Sequence, residues 1–298
     1  MFDLRYHVAS LTAVFLALVI GILVGVGMSG RGFVTDAERD NFNNRLAALE
    51  EQLQEEELAV EDLELRQEAA QEFVESAYPV LAARRLEGEN VAVLVVGSYD
   101  ESDGTLNRIR EAVRSADGAL VRVRAVSVPI PIEEIESAVL SDADTGEYAG
   151  EDELDDLGRA LGSELVEGGE TPLWDLLTPD LVGQRDGSSV PEADAVVVIR
   201  QVEPQQRETA RFLDGLYRGL SGTGRPAVGV EPTRVLQSAI PVFARAGLST
   251  VDGIDTPLGA LALILLLAGS EGGDYGIRDT AVDGVLPTLE PLPSPDSG

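Results

Sequence analysis

The chain has 298 residues and a mass of 31.6 kDa, enough for one or two domains with an apolar core. It carries 53 Asp and Glu against 22 basic residues, all of them arginine, for a formal net charge of −31; so negative a surface repels phosphate backbones and excludes sequence-independent nucleic-acid binding. There is no cysteine and one histidine, His7, which removes disulfides, thiolate metal sites and cysteine nucleophiles, and leaves no imidazole for catalysis or metal ligation in the rest of the chain.

The first element is apolar. Val8 to Met28 contains no charged residue over 21 positions, about 31 Å of helix against a hydrocarbon core of about 30 Å. The run is long for a signal peptide, and its exit, Val26-Gly27-Met28-Ser29-Gly30, reads as an uncleaved single-pass anchor over residues 1–30, with the lipid bilayer as partner. Arg5 precedes the span and Arg31, Arg39 and Arg45 follow it, so basic residues do not set its orientation. Gly21 and Gly25 form a small-xxx-small pair of the kind that lets two helices approach in lipid, although glycine is common in membrane helices.

Residues 31–88 read as a coiled-coil helix. A heptad with a at Arg39, Leu46, Leu53, Val60, Gln67, Val74 and Leu81 puts Phe42, Leu49, Glu56, Leu63, Ala70, Ala77 and Arg84 at d, and ten of these fourteen positions are apolar. Thr35 or Asp36 caps the start, and Pro79 is expected to end or kink the helix near Tyr78. The seam of Leu46, Leu49, Leu53, Val60 and Leu63 suits a second copy of the chain, hence a homo-oligomer; packing on the chain's own globular part is the alternative.

Residues 89–286 read as an α/β domain with an open, mostly parallel sheet. Strands are expected at Val91–Val96, at Leu120–Val128, where Arg122 and Arg124 alternate with Val121 and Val123, at Ala195–Ile199 and at Ala227–Val230. Helices are expected around Leu106 to Val113, along Leu154, Leu157, Leu161 and Leu165, over Gln205–Leu220, and at Leu258–Ala268, capped by Thr256 with Pro257 in its first turn. The last of these is too short to span a bilayer. Prolines 287, 291, 293 and 295 predict an extended or disordered tail over 287–298.

No catalytic, cofactor-binding or metal residues stand out. The loop after the first strand, Gly97 to Gly104, lacks G-x-G-x-x-G spacing, and Asp100, Glu101 and Asp103 would repel a pyrophosphate. These acids and the group Asp152, Glu153, Asp155 and Asp156 fit solvated loops and a helix N-terminus better than a cation site.

Two segments are similar to a known family. Leu4-Arg5-Tyr6-His7-Val8 with the apolar run after it, and Asp252-Gly253-Ile254-Asp255-Thr256 with Gly259, Tyr275-Gly276-Ile277 and Leu286-Pro287, resemble the MctB-like family of actinobacterial copper transporters. The resemblance implies an anchored envelope protein whose C-terminal domain is extracytoplasmic, with a role in copper efflux through an outer-envelope pore and copper as the ion moved. The residues do not supply that role, since Cu(I) prefers Cys and Met sulfur and Cu(II) prefers imidazole, and residues 31–298 contain none of the three. Nor are there enough alternating ten-residue segments for a membrane β-barrel. The expectation is a non-enzymatic envelope protein of copper homeostasis; the alternatives are a scaffold that binds other envelope proteins and a degenerate enzyme on the same sheet.

Overall fold

A computed structural model describes residues 4–29, 36–100 and 102–291, with side chains from Ser10 to Val26 and from Asp40 onward. The chain divides into two compact units, Met1–Ala70 and Gln71–Gly298.

In the first unit, α1 runs over Leu4–Ser29 and contains the span expected at Val8–Met28. Its described side chains, Ser10 to Val26, cover about 25 Å of helix. Among the described residues no helix is long and apolar enough to cross a membrane. Helix α2, Asp36–Ala82, begins here and ends in the second unit. Its expected cap at Thr35 or Asp36 lies outside the described side chains.

Helix α2 does not stop at Tyr78. It continues through Pro79 to Ala82, because proline removes one N–H while its carbonyl still accepts from the Ala83 N–H at 3.2 Å. The last turn is held by tertiary contacts that the local sequence does not reveal. Ala82 and Leu86 are buried, and the Tyr78 hydroxyl lies 2.9 Å from Ser115 Oγ.

The second unit is built on seven strands in the order β3-β2-β1-β4-β5-β6-β7. Strand β1 (Asn90–Val96) is followed by α3 (Gly104–Ser115), β2 (Ala119–Val126), α4 (Ile132–Ser141), α5 (Leu154–Glu167) and α6 (Pro172–Leu177). Then come β3 (Val182–Gly187), β4 (Ala195–Arg200), α7 (Arg207–Gly222) and β5 (Ala227–Glu231). Helix α8 (Ile240–Arg245), β6 (Ser249–Asp252), α9 (Pro257–Leu267) and β7 (Asp274–Tyr275) complete it. Every pairing is parallel except that of β3 with β2, so the expected α/β sheet carries one antiparallel edge strand.

The pleat sends alternate residues of each strand to opposite faces. From β1, Ala92, Leu94 and Val96 join a core with α4 to α8, while Val91, Val93 and Val95 join one with α3 and α9. Helices α5 and α7 meet closely because each has glycines four apart. A Cβ at Gly158 would lie 2.2 Å from Phe212 O, and one at Gly215 would lie 2.0 Å from Asp155 O. The Thr256 cap of α9 forms as expected, its Oγ1 accepting from the Gly259 N–H at 3.1 Å with Pro257 at the first position. At the chain end Pro287 is buried and Leu286 packs on the α3/α9 core; residues 292–298 lie outside the described ones.

Candidate functional site

In an open α/β sheet ligands bind beyond the carboxyl ends of the strands, where the strand order reverses. Here that point lies between β1 and β4. Gly97 follows β1 at φ +113°, and Val202, after β4, would touch a Cβ placed there at 2.8 Å. The two chain segments close the crevice on each other. Asp103 Oδ1 accepts from the Leu106 N–H at 2.9 Å as the cap of α3, and its Oδ2 accepts from Gln201 Nε2. Asp100 accepts from the Ser102 hydroxyl and N–H at 2.6 and 2.7 Å, which lowers its pKa. Glu101 lies outside the described residues. These acids shape the turn and cap α3, so the carboxylates face the groups a phosphate would need. Asp155 and Asp156 lie in the first turn of α5, where negative charge meets the helix dipole.

The residues of the C-terminal resemblance come together one strand further along. Glu231 ends β5 and Asp252 ends β6, opposite each other in the register. They are 3% and 1% exposed, and burial of carboxylates this complete demands partners. Glu231 accepts from Ser238 Oγ, from the Ala239 N–H at 2.7 Å and from Arg278 Nη1 at 2.7 Å. Asp252 accepts from the N–H groups of Ile277 and Arg278 at 2.7 and 3.2 Å and from Thr280 Oγ1 at 3.0 Å.

Gly276 is required there. Its φ is +144°, and a Cβ would sit 2.1 Å from Asp252 Oδ1. Asp255 accepts from the N–H and hydroxyl of Thr233 at 2.6 and 2.8 Å. Gly259 lets the first turn of α9 approach the Gly253 carbonyl, and Tyr275 lies buried in β7 with its hydroxyl donating to Glu271 O at 3.3 Å. Asp252, Tyr275 and Gly276, with Glu231 and Arg278, thus form a latch that fastens the 274–280 segment across the ends of β5 and β6, while Asp255 and Gly259 fix the turns beside it. Among the described residues no group of three or more acids or histidines is placed to hold a metal ion.

At the other end of the sheet lies a feature the sequence reading missed. Arg122 and Arg124 of β2 are 1% and 6% exposed, and no carboxylate pairs with either among the described residues. Arg122 Nη1 donates to Leu165 O at 2.9 Å, in the last turn of α5, while its Nε and Nη2 have no hydrogen-bond partner. Arg124 Nη1 donates to Val123 O and Asp186 O, and its Nη2 to Ser189 Oγ. Burial lowers the pKa of both, and for Arg122 the neighbouring Arg124 charge adds to it.

The N-terminal positions gather nothing. Around Gly21 and Gly25 there is open space. The seam residues Leu46, Leu49, Leu53, Val60 and Leu63 are all exposed, Leu49 at 56% and Leu53 at 54%. Leu4, Arg5, Tyr6 and His7 belong to α1, but their side chains lie outside the described residues.

Taken together, the chain is an α/β sheet protein with two long helices before the sheet in sequence, and its buried carboxylates Glu231 and Asp252 are each held by several donors. The model of one family, described as copper transport outer membrane protein MctB, matches residues 1–286. The chain belongs to that family. No curated protein matches it.

Proposed function

We propose that the protein is a non-enzymatic, membrane-anchored component of the cell envelope that serves copper efflux as a conduit or assembly partner, without recognising copper through soft ligands. The observation that carries this reading is the family match over residues 1–286, set beside the lack of any Cys, His or Met from residue 31 onward. Carboxylates are hard donors and arginine stays protonated, so that region offers copper no selective ligand. The anchor is supported by the uncharged run Val8–Met28 and by its inclusion in one unbroken helix. An extracytoplasmic C-terminal domain follows from the family resemblance.

The test is a deletion strain challenged with copper, with zinc and with a general envelope stress. Selective copper sensitivity, restored by the full chain but not by one lacking residues 1–30, is the expected result. Equal sensitivity to all three stresses would refute the copper role and favour the scaffold.

That second reading has its own observation, the exposed row Leu46, Leu49, Leu53, Val60 and Leu63 on α2. A long helix with a narrow apolar seam is marginal alone, so self-association through this row belongs to both readings. Sedimentation of the full chain in neutral detergent should give an oligomer that L49E/L53E converts to monomer, since two charges would be buried in the seam. A monomeric parent chain at high micromolar concentration refutes self-association.

A further inference from the structure

We propose that the second unit carries a binding site for a small organic anion, a carboxylate or phosphate monoester with an apolar body, in a cavity at the carboxyl end of β4. The cavity has a volume of about 350 Å³, at the lower end of the range for small-molecule sites. Arg200, the last residue of β4, projects to the same face as Val196 and Val198 and so towards α7 and α8. Three arginines, Arg200, Arg211 and Arg245, line the space, in a chain where acids outnumber bases by 31.

The local charge balance is the opposite of the global one. The single carboxylate in the lining, Asp214, is already paired with Arg218. Arg211 is held at the rim by the Glu151 carbonyl at 2.9 Å and by Asp152 at 3.6 Å. Arg200 donates to the Gln237 carbonyl at 2.9 Å and, among the described residues, pairs with no carboxylate. Arg245 makes no hydrogen bond or ion pair among the described residues. Among the described residues, two guanidinium groups without counter-ions therefore share one cavity, and guanidinium is the side chain best shaped to grip a carboxylate or phosphate in bidentate fashion.

The rest of the wall selects the ligand's other half. Leu213, Tyr217 and Val242 give it an apolar surface, stiffened by the edge-to-face packing of Tyr217 on Phe243 with ring centroids 5.2 Å apart. An inorganic anion would leave that surface uncovered, and a neutral apolar molecule would leave the arginines unpaired. The net negative field of the chain opposes anions at long range, so recognition depends on contacts inside the cavity.

The test titrates the full chain, in neutral detergent and about 0.15 M salt, with phenyl phosphate and with benzoate by calorimetry. Benzyl alcohol supplies the apolar body without charge, and inorganic phosphate supplies the charge without the body. Saturable binding of phenyl phosphate or benzoate is expected, at least about tenfold tighter than either control, and weakened about tenfold by Arg245→Gln. Arg245 is exposed and outside the core, so this variant should keep the parent's unfolding midpoint, and Arg245→Lys should restore part of the affinity. Preference between the two anions identifies which headgroup the site takes. The proposal is overturned if neither anion saturates, if benzyl alcohol binds as tightly as they do, or if Arg245→Gln binds like the parent.

Discussion

The two ends of the sheet bury charge in opposite ways. At the β5–β6 end two carboxylates lie inside, and all their partners are groups that donate: one guanidinium, two hydroxyls and three backbone N–H groups. At the β2–β3 end two guanidinium groups lie inside and, among the described residues, are met only by carbonyls and one hydroxyl. A carboxylate surrounded by donors can be fully solvated by protein. The Arg122 guanidinium, with five N–H donors and a rigid shape, is left with Nε and Nη2 unpaired and relies on the negative C-terminal end of α5. The contrast predicts that one cluster stabilises the fold and that the other is tolerated by it.

Among the described residues Arg278 is the one cation bonded to either carboxylate, and its removal should have the largest effect. Arg278→Leu leaves the buried Glu231 beside Asp252 without its guanidinium, and because Arg278 is itself one-third exposed the cost is about 3 kcal/mol, the lower end for removing one partner of a buried pair. Urea unfolding of the full chain at neutral pH should show a loss of that size. A loss below about 1 kcal/mol would mean that Ser238 and the Ala239 N–H satisfy Glu231 by themselves, and the two ends would then differ less than their geometry implies.

The mirror-image change is Arg122→Met. It removes an unpaired buried charge, keeps most of the apolar stem volume, and gives up one hydrogen bond to Leu165 O. Replacing buried charge by apolar volume is often neutral or stabilising, so the variant should unfold within about 1 kcal/mol of the parent or be more stable. A loss of about 3 kcal/mol or more would show that the carbonyls at the end of α5 hold this charge as firmly as Arg278 holds Glu231.

What was legible in the sequence divides along the same line between local and distant causes. The apolar runs of β1, β4 and β5, the leucine spacing of α5 and the Thr256-Pro257 start of α9 all announce themselves within one turn or one strand. Strand β3, Val182-Gly183-Gln184-Arg185-Asp186-Gly187, does not, because an exposed antiparallel edge needs no apolar face. Strand β6 is four residues long and ends in an acid. As a helix end Pro79 misled, because a contact that holds the last turn of α2, Tyr78 to Ser115, spans 37 positions.

The latch was visible only as letters. Asp252, Asp255, Gly259, Tyr275 and Gly276 stood out by resemblance, yet Glu231 and Arg278, 47 positions apart, carried no local signal. Arg122 and Arg124 alternate with valines as a half-exposed strand would, whereas both faces of β2 are covered. The lack of soft copper ligands was legible at once, since composition requires no fold.

The smallest predicted effect concerns Glu164 on α5, the acidic counterpart of Arg122. It is half-buried and, among the described residues, accepts only from backbone, the N–H groups of Leu173 and Trp174 at 3.1 and 3.2 Å at the start of α6. Burial, the largest influence, pushes its carboxyl above the ordinary glutamate range, and the two N–H groups pull it only part of the way back. Through that interval the folded chain binds this proton more tightly than the unfolded chain does, so stability falls as pH rises from the ordinary glutamate range through the raised folded value. Glu164→Gln has no proton to lose. Urea midpoints of the two proteins between about pH 4 and pH 7 should therefore show the variant gaining on the parent as pH rises, with the difference levelling off once Glu164 is ionised in both states. A difference that moves the other way would mean that the two N–H groups outweigh burial and hold the carboxylate as Ile277 and Arg278 hold Asp252; a buried acid with backbone partners would then need no guanidinium to be stabilising.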